Sequence, residues 1–372
     1  MNKGHAIIAM GIAAFVQACE GPASRPDGNA RSAVQSADAH IGIVGASGGD
    51  VESCDELPSF ISNFASPAVW NARKERILSE YRTLPDCNTR FRERGRAQTA
   101  IMAEKVRGAI PGATVSSYAG FRYVFGEGTP AGQTLLDAIQ QAQQDGVTHL
   151  FVTDQDNIMY SKRMEQRGFD QISTYLRDHP EWEVEVIGFN GYSEQPGFPA
   201  LLARNVAESV LAAFPDVPAS DISVVLPCQG IPQVEEATDP HADRARALAE
   251  KVQAAMPEVA IHFTFQNWSE KPGDLQTHAQ PSEQVVLPRV ANDPRQHVLI
   301  TPNLQWPVTD ISVLWREPVM YREKILAVSP EKQLANEVAW DDSPALADFA
   351  AAIIEDILVH DGVGRYDVTL IH

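Results

Sequence analysis

From Ile41 onward, short apolar runs take turns with amphipathic stretches of ten or more residues, and this alternation restricts the fold more than any other feature. Ile41-Gly42-Ile43-Val44-Gly45 reads as a buried strand that runs into Ala46-Ser47-Gly48-Gly49-Asp50, a turn of the kind where α/β folds hold ligands. The spacing predicts helices over Ala68–Arg82 and Arg94–Ile110, a strand over Thr114–Phe125, a helix over Thr129–Gln144 and a strand over Thr148–Thr153. The pattern then repeats, with helices over Phe169–Arg177, Pro199–Ala213 and Ala242–Ala255. Between them fall strands over Glu183–Phe189, Ile222–Leu226, Ala260–Phe265 and His297–Thr301. The last helix, Pro344–Leu358, sets Leu346, Phe349, Ala350, Ile353, Ile354 and Ile357 on one side.

Strands separated by long helices have to lie parallel, with helices covering both faces of the sheet. The expected class is therefore α/β, with two similar doubly wound lobes, 41–185 and 186–372, and a ligand cleft between them at the carboxyl ends of the strands. A chain that is 44% hydrophobic and 21% charged supports cores of that size. Its formal net charge of -19 disfavours a nucleic-acid partner, because phosphate binding needs a basic face.

Residues 1–40 do not fit the alternation. Lys3, the apolar run Ala6–Val16 and then Gln17-Ala18-Cys19 follow the order of a secretory signal, and the run is too short to span a bilayer. Val16-Gln17-Ala18-Cys19 looks like a bacterial lipobox in which Cys19 would carry lipid, although Gln17 is untypical there; a plain cleaved signal or a fortuitous leader is the duller reading. Residues 20–40 read as a flexible tether. The expected location is the bacterial cell envelope, with a membrane anchor if Cys19 is lipidated. The other cysteines, Cys54, Cys87 and Cys228, lack zinc spacing. An oxidising compartment would allow Cys54 to pair with Cys87 and leave Cys228 free, but spacing does not fix the pairing.

Several segments, in order, resemble those of ferrochelatases. They are Gly120-Phe121-Arg122-Tyr123, the stretch Thr134–Gln144 with Asp145-Gly146-Val147, Tyr160-Ser161, and Tyr192 with Pro196-Gly197-Phe198. Next come Val224-Val225-Leu226-Pro227-Cys228-Gln229-Gly230-Ile231-Pro232, Asp239-Pro240-His241, Phe265-Gln266-Asn267, and the block from Pro302 to Tyr321-Arg322-Glu323. The resemblance covers roughly Ile41 to Leu326 and implies a chelatase-like fold that inserts ferrous iron into a porphyrin during haem synthesis. Such chemistry needs groups that remove two pyrrole protons.

The resemblance places a histidine where Gln229 stands, and an amide does not accept a proton near neutral pH. Counted back from Tyr321-Arg322-Glu323, Ser312 falls on the family's glutamate, Asp310 on a second histidine and Arg316 on a later carboxylate. Asp310, Tyr160 and Cys228 are the remaining catalytic candidates. Each has a plainer role: helix N-cap for Asp310, interface residue for Tyr160, inert packing for Cys228. Gln229, Ser312, Ser161, Trp306 and His241 are the ligand-binding candidates, His241 as an axial ligand to haem iron and Trp306 as a stacking platform. No resident cofactor is implied with certainty; porphyrin or haem and ferrous iron are the candidate ligands. The alternative expectation is an exported haem-, porphyrin- or metal-binding protein without catalysis.

Overall fold

The computed structural model describes residues 39–58, 75, 77–122, 134–162, 165–266, 279–305, 307–341 and 343–372. The leader with Cys19, most of the tether, part of the helix expected at Ala68–Arg82, and Trp306 lie outside the described residues. Two sheets carry the fold. The first has the order β2-β1-β3-β4-β9, built from β1 His40–Ser47, β2 Thr114–Phe121, β3 His149–Asp154, β4 Glu185–Phe189 and β9 Val368–Ile371. The second has the order β6-β5-β7-β8, built from β5 Ile222–Gln229, β6 Ala260–Gln266, β7 His297–Ile300 and β8 Gln333–Asn336. Every strand pair is parallel except β4 with β9. The doubly wound, two-sheet expectation matches this architecture.

The helices that cover the sheets are α1 Phe91–Ala109, α2 Leu135–Gln144, α3 Glu165–Asp178, α4 Phe198–Ala213, α5 His241–Ala255, α6 Glu283–Asn292 and α7 Pro344–His360. Local chemistry sets their ends. Thr134 and Asp137 form a reciprocal capping box at the start of α2, which is why that helix begins at Leu135 and not at Thr129. Gly197, at φ 85°, makes the turn into α4, a backbone region that side chains with a Cβ disfavour. None of the described helices is long and apolar enough to cross a membrane.

The expected lobe boundary needs correction. A cut between residues 185 and 186 falls inside β4, which belongs to the first sheet, and the chain end returns as β9 to pair with it, Val186 against Ile371 and Phe189 against Val368. An edge strand exposes unpaired backbone groups, and β9 satisfies those of β4. Four residues near a chain end show too little periodicity to be read as a strand in advance. The C-terminal helix α7 likewise packs on α1 of the first lobe, with Lys105 Nζ 2.7 Å from Asp348 Oδ1.

The lobes share a core. Ile41, Phe151 and Ile187 of the first sheet pack in one apolar cluster with Val224, Leu226 and Leu299 of the second. Helices α4 and α7 supply Phe198, Leu202, Val206, Leu346, Ile353 and Ile354 to the same cluster. Each large side chain buried there contributes roughly 1.5–3 kcal/mol. Packing is close enough to demand glycine at Gly188 of β4, where a Cβ would stand 2.5 Å from the Phe169 ring of α3. Gly188→Ala is expected to lower stability by about 1–3 kcal/mol through overpacking. Chemical denaturation would show this as a reduced midpoint at unchanged slope; an unchanged midpoint would mean that the Phe169 ring is free to move aside.

Candidate functional site

Each sheet has a point where successive strands leave in opposite directions: β1 lies between β2 and β3, and β5 lies between β6 and β7. Loops leaving such a point splay apart and open a crevice at the carboxyl edge of the sheet. In the first lobe the crevice is lined by Ser47-Gly48-Gly49-Asp50 after β1 and by Gln155-Asp156-Asn157 after β3. In the second, β7 runs into Thr301–Gln305 and on to Asp310, which heads the π-helix Ser312–Tyr321.

The two edges are stitched together at Gln305. Its carbonyl accepts from Ile158 N at 2.8 Å, its amide nitrogen donates to Asn157 Oδ1, and its Oε1 accepts from the Cys228 thiol at 2.7 Å. This ties the carboxyl edges of the two sheets together.

Asp50 is buried. Its Oδ1 accepts from Tyr81 Oη and from Val51 N, both at 2.7 Å. Burial nevertheless raises its pKa to about 6, against the opposing effect of these bonds and of the Arg92 charge. Asp156 accepts from the backbone N–H of Gly48 and from Arg122 Nη2, while Arg122 Nη1 donates to Asp154 Oδ2 at 2.9 Å. Burial, with the like charge of Asp154, lifts Asp156 to about 7 even beside Arg122.

Asp310 is partly exposed and does cap the π-helix, with Oδ1 accepting from Ser312 N at 2.9 Å and Val313 N at 3.2 Å. Its pKa is about 7, raised first by burial, then by the charges of Asp50 and Asp156. The wide turns of the π-helix carry Ser312, Arg316, Glu317 and Tyr321 into the interior. Glu317 accepts from Gln266 Nε2 at 3.2 Å, and burial with the Asp310 charge holds its pKa well above the ordinary range. Behind it, Arg316 pairs with Glu283, which also accepts from Tyr321 Oη at 2.9 Å. These carboxyl groups form a row in electrostatic terms: Asp50 and Asp156 raise Asp310, and Asp310 raises Glu317. Among the described residues no three His, Cys, Asp or Glu side chains are grouped closely enough to cage a metal ion.

Of the residues singled out from sequence, Asp310 belongs to this row and Ser312, buried in the π-helix, donates its N–H to Asp310. Cys228 and His241 meet each other instead, with Sγ 3.6 Å from Nε2, sealed at the seam between the lobes. Nε2 of His241 donates to the Gln229 carbonyl at 3.0 Å. Burial pushes the thiol pKa up and the imidazole pKa down, so both stay neutral and no thiolate–imidazolium pair forms. This corrects the expectation of an axial ligand at His241 and of a reactive Cys228: neither presents a face to a macrocycle.

Ser161 Oγ donates to Asp239 Oδ2 at 2.9 Å, another bond across the lobes. Tyr160 donates to Gln166 Oε1 at 2.7 Å, and the Arg244 guanidinium sits 5.7 Å from its ring centre. Gln229 keeps a partly exposed side chain at the end of β5. Asp50, Asp156, Arg122, Tyr81 and Glu317 were absent from the sequence-based set. The strand-end rule alone points to Asp50 and Asp156; nothing local marks Tyr81.

The architecture that emerges is a two-lobed, doubly wound α/β fold with a candidate crevice at the switch point of each sheet. Among solved structures it is similar to SirB from Bacillus subtilis, determined with Fe3+, at a TM-score of 0.52 and 14% identity over 88% of this chain and 99% of that one. The sirohydrochlorin chelatase SirB from Bacillus subtilis subspecies spizizenii, in complex with cobalt, aligns over the same shares at 12% identity and a TM-score of 0.44. No protein-family model matches the chain. No curated protein matches it either.

The raised pKa of Asp310 fixes a pH dependence of stability. Between the ordinary aspartate value near pH 4 and about pH 7, the folded chain holds more protons at this site than the unfolded chain. Its contribution to stability is therefore complete below about pH 4 and is lost as pH rises through about 7. Asp310→Asn mimics the protonated form, still able to accept at the cap. Thermal melts should show the variant more stable than the parent by about 1–3 kcal/mol at pH 8 and indistinguishable from it at pH 4. Equal melts at both pH values would mean that Asp310 is solvated like a surface carboxylate.

Proposed function

We propose that this chain is a chelatase-type protein whose cleft takes a tetrapyrrole and a divalent metal ion, with Asp310 as the principal proton acceptor. The observation that carries the reading is the position of Asp310: at the head of the π-helix, with a pKa of about 7 and close enough to Asp50 of the opposite lobe to feel its charge. Metal insertion forms metal–nitrogen bonds and releases two pyrrole protons. A base with a pKa near the working pH is the efficient acceptor, and Asp310 with Asp50, at about 6, supplies two. Asp50, ionised above about pH 6, also draws a cation into the crevice. Resemblance to ferrochelatases implies porphyrin and ferrous iron as substrates; the structural neighbours bring in sirohydrochlorin and cobalt.

A second reading keeps the cleft and drops the chemistry: an exported haem-, porphyrin- or metal-binding protein. Gln229, where the family resemblance places a histidine, favours it. For either reading we place the folded domain outside the cytosol, behind the leader 1–19 with Cys19 as the lipid-bearing residue. The Cys54–Cys87 disulfide supports that placement, because such bonds persist in oxidising compartments.

The test titrates the purified protein with metal-free porphyrin, sirohydrochlorin and haem by absorbance, then adds ferrous, cobaltous or zinc ion and follows metallation above the uncatalysed background. The expected result is saturable binding and turnover, with Asp310→Asn slowing metallation at least 100-fold while binding changes by less than about threefold. Tight binding without turnover would establish the binding-protein reading. Absence of both would dispose of the tetrapyrrole altogether.

A further inference from the structure

Between β1 and α1, the described residues 48–58, 75 and 77–90 are cross-linked and lean on the opposite lobe. Cys54 and Cys87, 33 positions apart, are joined by the disulfide with their Cα atoms 4.9 Å apart. Val51, Leu57, Ile77, Leu78, Tyr81 and Cys87 form a small apolar cluster of their own, completed by Ile311 at the head of the π-helix and flanked by Trp315. Arg92 at the start of α1 reinforces it. Its Nε donates to the Asp50 carbonyl at 2.7 Å, and its terminal nitrogens reach Glu52 at 3.3 Å and pair with Glu56.

Tyr81 is the polar exception in this cluster. Only 4% exposed, it spends its hydroxyl on Asp50 Oδ1 at 2.7 Å, and it is close enough to Asp310 to feel that charge too. Burial and these neighbouring acids keep its phenol protonated far above neutrality, so it is a permanent donor. Nothing in the proton removal assigned above uses Tyr81. A buried phenol aimed at a cleft carboxylate, on a segment cross-linked beside it, is a holding device.

We propose that Tyr81 is the positioning residue of the cleft: its phenol, held in place by the Cys54–Cys87 cross-link, orients the Asp50 carboxyl opposite Asp310, so that cutting the cross-link detunes the site while every cleft side chain remains. The consequence for metal insertion rests on the chelatase reading; the arrangement itself does not. The groups that face Asp50 are Tyr81, Thr89, the Val51 N–H, Arg92 and, across the crevice, Asp310. Tyr81 and Thr89 favour the ionised carboxylate against burial. Removal of the phenol leaves burial less opposed and moves Asp50 titration upward.

The experiment follows aspartate carboxyl 13C signals against pH in the full-length protein, with the Asp50 signal assigned by its loss in Asp50→Asn. The parent should titrate at about 6, and Tyr81→Phe should move that midpoint up by about one pH unit. Treatment with dithiothreitol, which passes two electrons and two protons to the disulfide as its own thiols close into a ring, should move it the same way. So should the Cys54→Ser/Cys87→Ser double variant. An unchanged Asp50 midpoint in folded Tyr81→Phe would overturn the role of Tyr81. A shift in Tyr81→Phe with none on reduction would overturn the role of the cross-link. Midpoint shifts in all three preparations, with no porphyrin metallation by the parent protein, would sink the chelatase reading and leave this inference standing.

Discussion

The cleft depends on how the two sheets are locked together. An apolar core that runs from Ile41 and Phe151 through α4 and α7 to Val224 and Leu226 packs the two lobes against each other. At the carboxyl edge Gln305 completes the lock by bonding Ile158 and Asn157 in one lobe and Cys228 in the other. A buried amide that satisfies all these partners specifies one relative placement of the sheets, since a slip would strand several polar groups at once. Cys228 and His241 belong to this lock, which explains why both are neutral and shut away.

With the edges fixed, electrostatics in the crevice follow from competition between solvation and hydrogen bonding. Two backbone N–H groups on one carboxylate oxygen would ordinarily pull an aspartate below its usual value. At Asp310 they are outweighed by burial and by the like charges of Asp50 and Asp156, which push its pKa up to about 7. Arg122 is not enough to reverse the balance at Asp156, because Arg122 is shared with Asp154. Carboxylates that folding pushes toward the neutral form are held there by the shared core, which bears the loss in stability, and such strain on ionisation collects at functional sites.

Much of the architecture was legible in the chain. Alternation of apolar runs with helical periods announced β1 to β7, and the strand-end rule marked the turn Ala46-Ser47-Gly48-Gly49-Asp50 after β1. What escaped did so for identifiable reasons. Strand β9 is four residues long and is made a strand by the bare edge of β4, a partner some 180 positions away. The π-helix contains Pro318, and its period is neither that of a strand nor that of an α-helix, so neither template finds it. His241 looked like a ligand because histidine so often is one, yet its surroundings are set by Gln229 and Cys228 from β5. Tyr81 is the clearest case. Its role comes from a disulfide and from a turn 31 residues upstream, and no local pattern encodes such a meeting.

In the chelatase reading, carboxylates do the proton-accepting that the family resemblance assigns to histidine, and that changes more than the residue types. An unperturbed histidine titrates near 6.5, and Asp50 and Asp310, at about 6 and about 7, bracket that value, so proton affinity is kept while the sign of the charge is inverted. A histidine ready to accept a proton is neutral and becomes a cation when it has done so, repelling the incoming metal ion. An aspartate ready to accept a proton is an anion that attracts the metal, and proton transfer neutralises it, which loosens its hold just as the macrocycle nitrogens take over the ion. In the chelatase reading, burial has therefore done for two aspartates what chemistry does for histidine, and it has coupled proton uptake to release of the metal in the direction that insertion requires.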